Sequence, residues 1–401
     1  MVTDLNSVFS TTAKGMKRSA IRELLKLTQR SDIISFAGGL PSPDSFPIDQ
    51  LKEISCEVLD TEGAQALQYG ATEGDARLRE ILVERYQNEG LKLSLNNLVI
   101  TTASQQALDL IPKIFINSGD KIICGLPSYL GGLSAFSTYG AQMVGIKLDD
   151  KGMRADLLEQ ELEKMKANGE KPKFIYIIPD FQNPAGITMP ESRRLEIIEL
   201  ARRFDVLIVE DSPYRELRFD GEPQRTMYEL DGTGHVILLG TMSKIFVPGF
   251  RIGWVVAHED IIDKIVMAKQ ATDLCTAPFV QKIAAKYIDK GYFDENLKKI
   301  IDSYRIKRDA MLEAFRKYMP EGVSWTEPEG GLFLFLTLPE GMKSEDLFKI
   351  AIEQKVAFVL GHVFHCDGSG QNTMRLNFSF MSKEKNDEGV KRLADAVRQL
   401  M

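Results

Sequence analysis

Between Asn97 and Ala257 the chain alternates short, unbroken apolar runs with stretches of helical periodicity. No other feature constrains the fold as strongly. Seven runs read as strands, at 98–101, 120–124, 141–147, 173–178, 206–210, 235–239 and 252–257. They are apolar at successive positions rather than at every second one, the pattern of strands covered on both faces. Helical stretches separate them, among them TTASQQALDLIPKIFI, 157–167 and Glu191–Phe204. This alternation predicts an α/β fold, a mostly parallel seven-stranded sheet with helices on each side. In such sheets a ligand sits beyond the carboxyl ends of the strands. The polar motifs that end these runs fall on that side.

The flanks have a different texture. Apolar residues at helical spacing predict a helix over 19–29 (SAIRELLKLTQ), and a rigid loop, FAGGLPSPDSFP, follows. Helices are expected at 49–59 and Ala76–Asn88, with Tyr69 in the glycine-rich loop between them. Beyond the sheet region come helices at Glu259–Gln270, 276–290 and 295–318. The remainder, with strands at 322–327, in EGGLFLFLTLP, at 356–360 and in MRLNFSF, a helix at 344–354 and a closing helix capped by Ser382, reads as a smaller α+β domain. The expected division is an N-terminal arm (1–45), a large domain (46–293) and a small domain (294–401).

Composition narrows the partners. The 401 residues are enough for two domains, and the formal charge is −7 without a long basic run, so nucleic acid and anionic membrane surfaces are poor partners. Residues 1–15 are polar and no apolar run reaches bilayer length, which argues against a secretory leader and a membrane span. Cys56, Cys124, Cys275 and Cys366 lie far apart without a CxxC pair, as expected of reduced thiols in a cytoplasmic protein.

Several strand-end motifs carry groups suited to chemistry. The run 235–239 ends in LGTMSKIFVPGFRIGW. It places Lys244 in a tight turn behind Thr241 and Ser243, with Arg251 seven residues on. A lysine held at a sheet end can form an imine with an aldehyde cofactor. The hydroxyls and Arg251 suit a phosphate. Taken alone, a solvated loop lysine is by far the commoner case. Asp211 ends the run VLIVE, where a carboxylate is costly unless paired. A protonated ring nitrogen about 3 Å away would contribute about 5 kcal/mol at an effective dielectric near 20; an Asp at a turn before Ser-Pro is the structural alternative. Asn183 in QNPAG and Tyr214 in DSPY offer donors to a phenolic oxygen, and Tyr129 in PSYLGG offers a face for stacking. Turn formation and packing are the alternatives. Ser104 and Gln105 open a helix, where their amides would suit an anion, with a plain N-cap serine as the alternative. Arg375 lies among apolar strand residues, and either a substrate carboxylate or an internal acid would pair it.

Together the motifs IRELLKLTQ, ISFAGGLPSPDSFP, LQYG, TASQQALDL, PSYLG, PDFQNPAG, EDSPY, TMSK, GFRIGW and RLNFS span nearly the whole chain. On them the sequence resembles the fold-type I, pyridoxal phosphate (PLP)-dependent class I/II aminotransferases. It is most similar to the 2-aminoadipate, kynurenine and aromatic amino-acid branch. The resemblance implies that Lys244 is the Schiff-base lysine and proton shuttle, that Asp211 holds the pyridinium, that Asn183 and Tyr214 hold the phenolic oxygen, and that Tyr129 stacks on the ring. It implies that Ser104, Gln105, Thr241, Ser243 and Arg251 hold the phosphate. Tyr69 would reach the phosphate of a neighbouring subunit in a homodimer with shared sites. Arg375, with Asn183 and the Gly39 backbone, would take the substrate α-carboxylate. The implied reaction is ping-pong transfer of an amino group from an L-amino acid to a 2-oxo acid, by family habit 2-oxoglutarate. Arg22 is a candidate partner for a distal substrate carboxylate, with a solvated helix arginine as the alternative.

Other readings are weaker. His362, His365 and Cys366 form a possible metal cluster without a matching second cluster, and no metal is expected. There is no P-loop or strand–GxGxxG–helix, and residues 1–14 are too short for a DNA-binding helix-turn-helix, so a regulator fused to one is not expected. An aspartate-type aminotransferase or a PLP-dependent β-lyase would use the same fold.

Overall fold

The computed structural model describes residues 4–16 and 32–401. The helix expected at 19–29 and Arg22 within it lie outside the described residues. The strands in chain order are β1 (Ile34–Ser35), β2 (Leu98–Thr102), β3 (Lys121–Leu126), β4 (Gln142–Asp149), β5 (Gly152–Met153), β6 (Phe174–Ile177), β7 (Leu207–Asp211), β8 (Val236–Thr241) and β9 (Ile252–Val256). Then come β10 (Ser324–Trp325), β11 (Phe333–Thr337), β12 (Val356–Ala357), β13 (Val359–Leu360) and β14 (Thr373–Asn377).

The large sheet runs β2-β9-β8-β7-β6-β3-β4-β5. Its centre, from β8 across to β4, is parallel, while β9 is antiparallel to both its neighbours and β5 to β4. All seven expected strands are present, but the sheet has eight. The extra one, β5, is a two-residue hairpin partner of β4, too short to leave any periodicity in the sequence.

Both faces of this sheet are covered, as its unbroken apolar runs require. Along β6, Phe174 and Tyr176 join one apolar cluster while Ile175 and Ile177 join another. Ile208 and Val209 of β7 divide the same way. Each fully buried side chain of this size contributes about 1.5–3 kcal/mol. Helices Ala155–Ala167 and Glu191–Phe204 cover the second face.

A second, antiparallel sheet has the order β10-β11-β14-β13. The short parallel pair β1–β12 ties the segment before the glycine loop to this part of the chain. Two helices exceed their expected spans: Ile48–Ala66 continues a further turn and more, and Tyr292–Tyr318 starts after Gly291 at φ +79°. A short helix, Met227–Asp231, capped by the Thr226 side chain, has no counterpart in the sequence reading.

Candidate active site

The parallel register places the polar strand ends side by side. Asp211 is the last residue of β7 and pairs with Leu239 of β8. Two residues further along, β8 gives way to the turn that carries Ser243 and Lys244. The loop leaving β6 delivers Asn183, and β14 delivers Arg375 from the second sheet.

Asp211 is 2% exposed. Its Oδ2 accepts a 2.7 Å hydrogen bond from the hydroxyl of Tyr176, while its Oδ1 has no partner among the described residues. Burial pushes the carboxyl up to about 6, against the pull of the Tyr176 donor. An unpaired buried carboxylate oxygen calls for a donor from a ligand. Tyr176 escaped the sequence reading, because inside KFIYII it looks like any core aromatic.

Lys244 donates from Nζ to the Gly39 carbonyl at 2.8 Å. Burial, then the nearby charges of Arg375 and Arg251, lower the ammonium to about 8. Arg375 is almost fully buried and donates from Nη1 to Asn183 Oδ1 and from Nη2 to the Ala37 carbonyl, each at 3.0 Å. Its guanidinium lies 4.2 Å from the Phe333 ring centre and 5.0 Å from that of Phe364. Its Nε has no partner among the described residues, and no described carboxylate lies within the 4.0 Å reach of an ion pair. Burial lowers the guanidinium to about 10. Of the two partners expected for it, the internal acid is therefore absent among the described residues. Asn183 also donates from Nδ2 to the Tyr214 hydroxyl at 3.2 Å. Burial raises the Tyr214 phenol.

A cluster of small donors lies beside the lysine turn. The Thr241 hydroxyl sits 2.9 Å from Ser243 Oγ and receives the Ser243 amide at 3.1 Å. Arg251 reaches Ser243 Oγ at 3.5 Å. The helix Ala103–Phe115 starts here with Ser104 and Gln105 in its first turn, where amides lack intrahelical acceptors. A Cβ at Gly253 would come within 2.5 Å of the Ser104 nitrogen, so a glycine in β9 lets the helix end approach. Tyr129 stands at the start of the next helix, its hydroxyl 3.5 Å from Gln105 Oε1.

One expected site residue is not drawn in. Tyr69 is 80% exposed, and no hydrogen bond joins its hydroxyl to the residues above. Arg22 is not among the described residues. His365 Nδ1 lies 3.0 Å from the Gly361 carbonyl, and among the described residues no three His, Cys, Asp or Glu side chains gather as metal ligands.

This site joins a buried carboxylate, a lysine of lowered proton affinity and an arginine with no ion-pair partner among the described residues, at the carboxyl edge of an α/β sheet. Residues 31–393 match the family model for aminotransferase class I and II. The aromatic-amino-acid aminotransferase 1 of Thermococcus litoralis is 50% identical, covering 99% of this chain and 96% of its own. The 2-aminoadipate transaminase of Thermus thermophilus is 39% identical over 99% of this chain and 98% of its own. A crystal structure of Pyrococcus horikoshii kynurenine aminotransferase, in complex with PMP, superposes with a TM-score of 0.95 at 47% identity, covering 99% of this chain and 98% of that one. The chain belongs to the class I and II aminotransferases. It is a PLP-dependent transaminase of the aromatic, 2-aminoadipate and kynurenine branch.

Among the described residues, no helix is long and apolar enough to cross a membrane.

Proposed function

We propose that this transaminase accepts L-amino acids with aromatic, branched or 2-aminoadipate-like side chains and passes the amino group to a 2-oxo acid, with 2-oxoglutarate the first acceptor to test. The names of its relatives support the aromatic and 2-aminoadipate parts of that range, and the structure of a Thermus thermophilus relative complexed with N-(5'-phosphopyridoxyl)-L-leucine supports the branched part. The observation that carries the proposal is Arg375: a buried guanidinium, roofed by Phe333 and Phe364, whose Nε has no partner among the described residues. A substrate α-carboxylate is the partner such a fork suits.

The residues around it fit PLP. Asp211 Oδ1 would accept from the ring nitrogen, Asn183 and Tyr214 would hold the phenolic oxygen, and Tyr129 would cover the ring. Ser104, Gln105, Thr241, Ser243 and Arg251 would hold the phosphate. When bound, PLP supplies an aldehyde carbon that captures amines and a ring that withdraws electrons. Lys244 then serves twice, as the amine that anchors the cofactor and as the base that moves the substrate Cα proton. Its lowered proton affinity suits both roles. Arg375, helped by Asn183 and the Gly39 backbone, orients the substrate so that this proton faces Lys244 Nζ. Arg22 is proposed to meet a distal substrate carboxylate.

The chain is further proposed to act as a cytoplasmic homodimer, its exposed Tyr69 reaching the partner subunit's site, and to divide into an arm (1–45), a large domain (46–293) and a small domain (294–401). A panel of amino donors with 2-oxoglutarate tests the substrate range. Hydride reduction of the holoenzyme followed by peptide mapping tests the anchor, and an adduct on any residue but Lys244 would overturn it.

A further inference from the structure

Two thiols meet where the sheets adjoin, and the transamination site does not use them. Cys124 is buried on β3, and Cys366 is partly exposed in the loop between β13 and β14. Their Sγ atoms are 3.9 Å apart. The large sheet makes room for this contact. Cys124 stands opposite Gly145 of β4, and a Cβ at 145 would come within 3.0 Å of Cys366 Sγ. The space left by that missing side chain is where Cys366 sits. Cys124 donates its S–H toward Cys366, which holds the Cys366 thiol below its ordinary range and Cys124 well above. The exposed partner is thus the better nucleophile and the buried one is placed to resolve it.

The same loop touches the site. The Phe364 carbonyl accepts the Ser128 amide at 2.8 Å, and the Phe364 ring packs on Arg375. A bond at Cys366 would therefore fasten the loop beside Arg375 to the strand that leads to Tyr129.

We propose that Cys124 and Cys366 form an oxidisable dithiol, which a peroxide converts to a disulfide pinning the β13–β14 loop to β3 and which a small thiol reopens. The Cys366 thiolate attacks the O–O bond of the peroxide, giving Cys366 sulfenic acid and hydroxide. The Cys124 sulfur then attacks Cys366 Sγ, expels hydroxide and loses its proton. In sum, two thiols and one hydrogen peroxide give one disulfide and two waters. The sulfurs must close by about 2 Å to reach bonding distance, and the loop supplies that movement.

The test treats the holoenzyme with stoichiometric hydrogen peroxide, blocks remaining thiols with N-ethylmaleimide and maps peptides without reductant. The expected result is a peptide pair joined through Cys124 and Cys366. Two of the four thiols are lost to titration and return with dithiothreitol. The thermal midpoint should rise by about 4 °C on oxidation and fall back on reduction. In Cys124→Ser, Cys366 should stop at sulfenic acid and take up dimedone. Three results would each overturn the proposal: unchanged thiol titration, a cross-link to Cys56 or Cys275, or equal dimedone labelling of the parent and Cys124→Ser.

Discussion

Arg375 Nη1 donates to Asn183 Oδ1 at 3.0 Å, and this bond joins the second sheet to the loop leaving β6. The guanidinium's other arm holds the Ala37 carbonyl, and Asn183 passes the chain on to Tyr214. One arginine is thus oriented by two separate parts of the chain while its Nε has no partner among the described residues. That is an anion receptor already in position, so binding pays little of the ordering cost that a flexible arginine would incur.

Arg375→Lys keeps the charge and loses the planar fork. The lost charge-assisted bonds are worth about 1.5–3 kcal/mol, so kcat/KM for the amino donor should fall roughly 10- to 150-fold, mostly through KM. The holoenzyme spectrum should be unchanged. Steady-state kinetics with an amino acid and with an amine lacking the carboxylate separates the roles. An equal loss for both would mean that the arginine serves the fold rather than the substrate.

Asp211 gives opposite signs for stability and for cofactor binding. In cofactor-free protein its carboxyl titrates near 6, above its unfolded value of about 3.9. The folded state therefore holds the extra proton between those two values. The resulting stability is complete below pH 4 and is lost as pH rises through 6. Two pKa units correspond to about 3 kcal/mol. Asp211→Asn should stabilise the cofactor-free protein at pH 7 by up to that amount, with the gain vanishing towards pH 4. The same change should weaken PLP binding. Denaturant melts across pH and a spectral titration with PLP check both halves.

Much of this architecture can be read in the chain before any coordinates. The strands of the large sheet stand out because each is apolar on both faces, and Ala76–Asn88, Glu191–Phe204 and Glu259–Gln270 show their helical spacing outright. Strand-end polar residues such as Asp211 and Asn183 were also visible, since a polar motif after an apolar run marks the ligand edge. What stayed hidden depends on pairing. Tyr176 serves Asp211 only because β6 lies beside β7 in one register, with Tyr176 opposite Val209. The Phe333 and Phe364 roof over Arg375 joins residues from a strand and a loop, and no local pattern announces it. β5 is too short for any period to show.

The depressed Lys244 should be visible as reactivity. With an ordinary value near 10.4, a lysine is about 0.04% neutral at pH 7. At about 8 the neutral share is roughly a tenth. An acylating reagent added to cofactor-free protein should label Lys244 some hundreds of times faster than a surface lysine at pH 7, with the rate levelling above pH 8. Stability follows the same titration. Between about pH 8 and 10.4 the unfolded chain holds the proton that the fold has released, so stability rises with pH across that window. Lys244→Met should therefore be more stable than the parent at pH 7, and the gap should close by pH 10.4. Labelling followed by peptide mapping, and melts of both proteins, decide the matter. A Lys244 that labels no faster than surface lysines would contradict the depressed value.

The loop that carries Asn183 leaves β6 after Ile177 and passes Asp180, where a buried ion pair fixes it. Arg194 donates from Nη2 to Asp180 Oδ1 at 2.7 Å, from Nε to the Met189 carbonyl and from Nη1 to the Arg225 carbonyl. Glu210 lies 3.9 Å from the same guanidinium and accepts the amides of Met227 and Tyr228. Arg194, Asp180 and Glu210 are each at most 1% exposed. Arg194→Met keeps much of the volume, leaves the buried Glu210 without its cation and leaves Asp180 only the more distant Arg218, at 3.9 Å. Stranding a buried charge in this way costs about 3–5 kcal/mol. Burial already pushes the Glu210 carboxyl up, and removal of Arg194 would push it further. The folded variant then gains a proton that the unfolded chain lacks, so its deficit should be largest near pH 7 and shrink as pH falls towards 5. Asp180 is three residues from Asn183, so the donor KM should rise along with the loss of stability. Arg194→Lys restores one charge and should recover part of both. Melts at pH 5 and 7 and donor kinetics on the two variants test this, and a deficit that grows on acidification would show that the arginine is not the counter-ion of these acids.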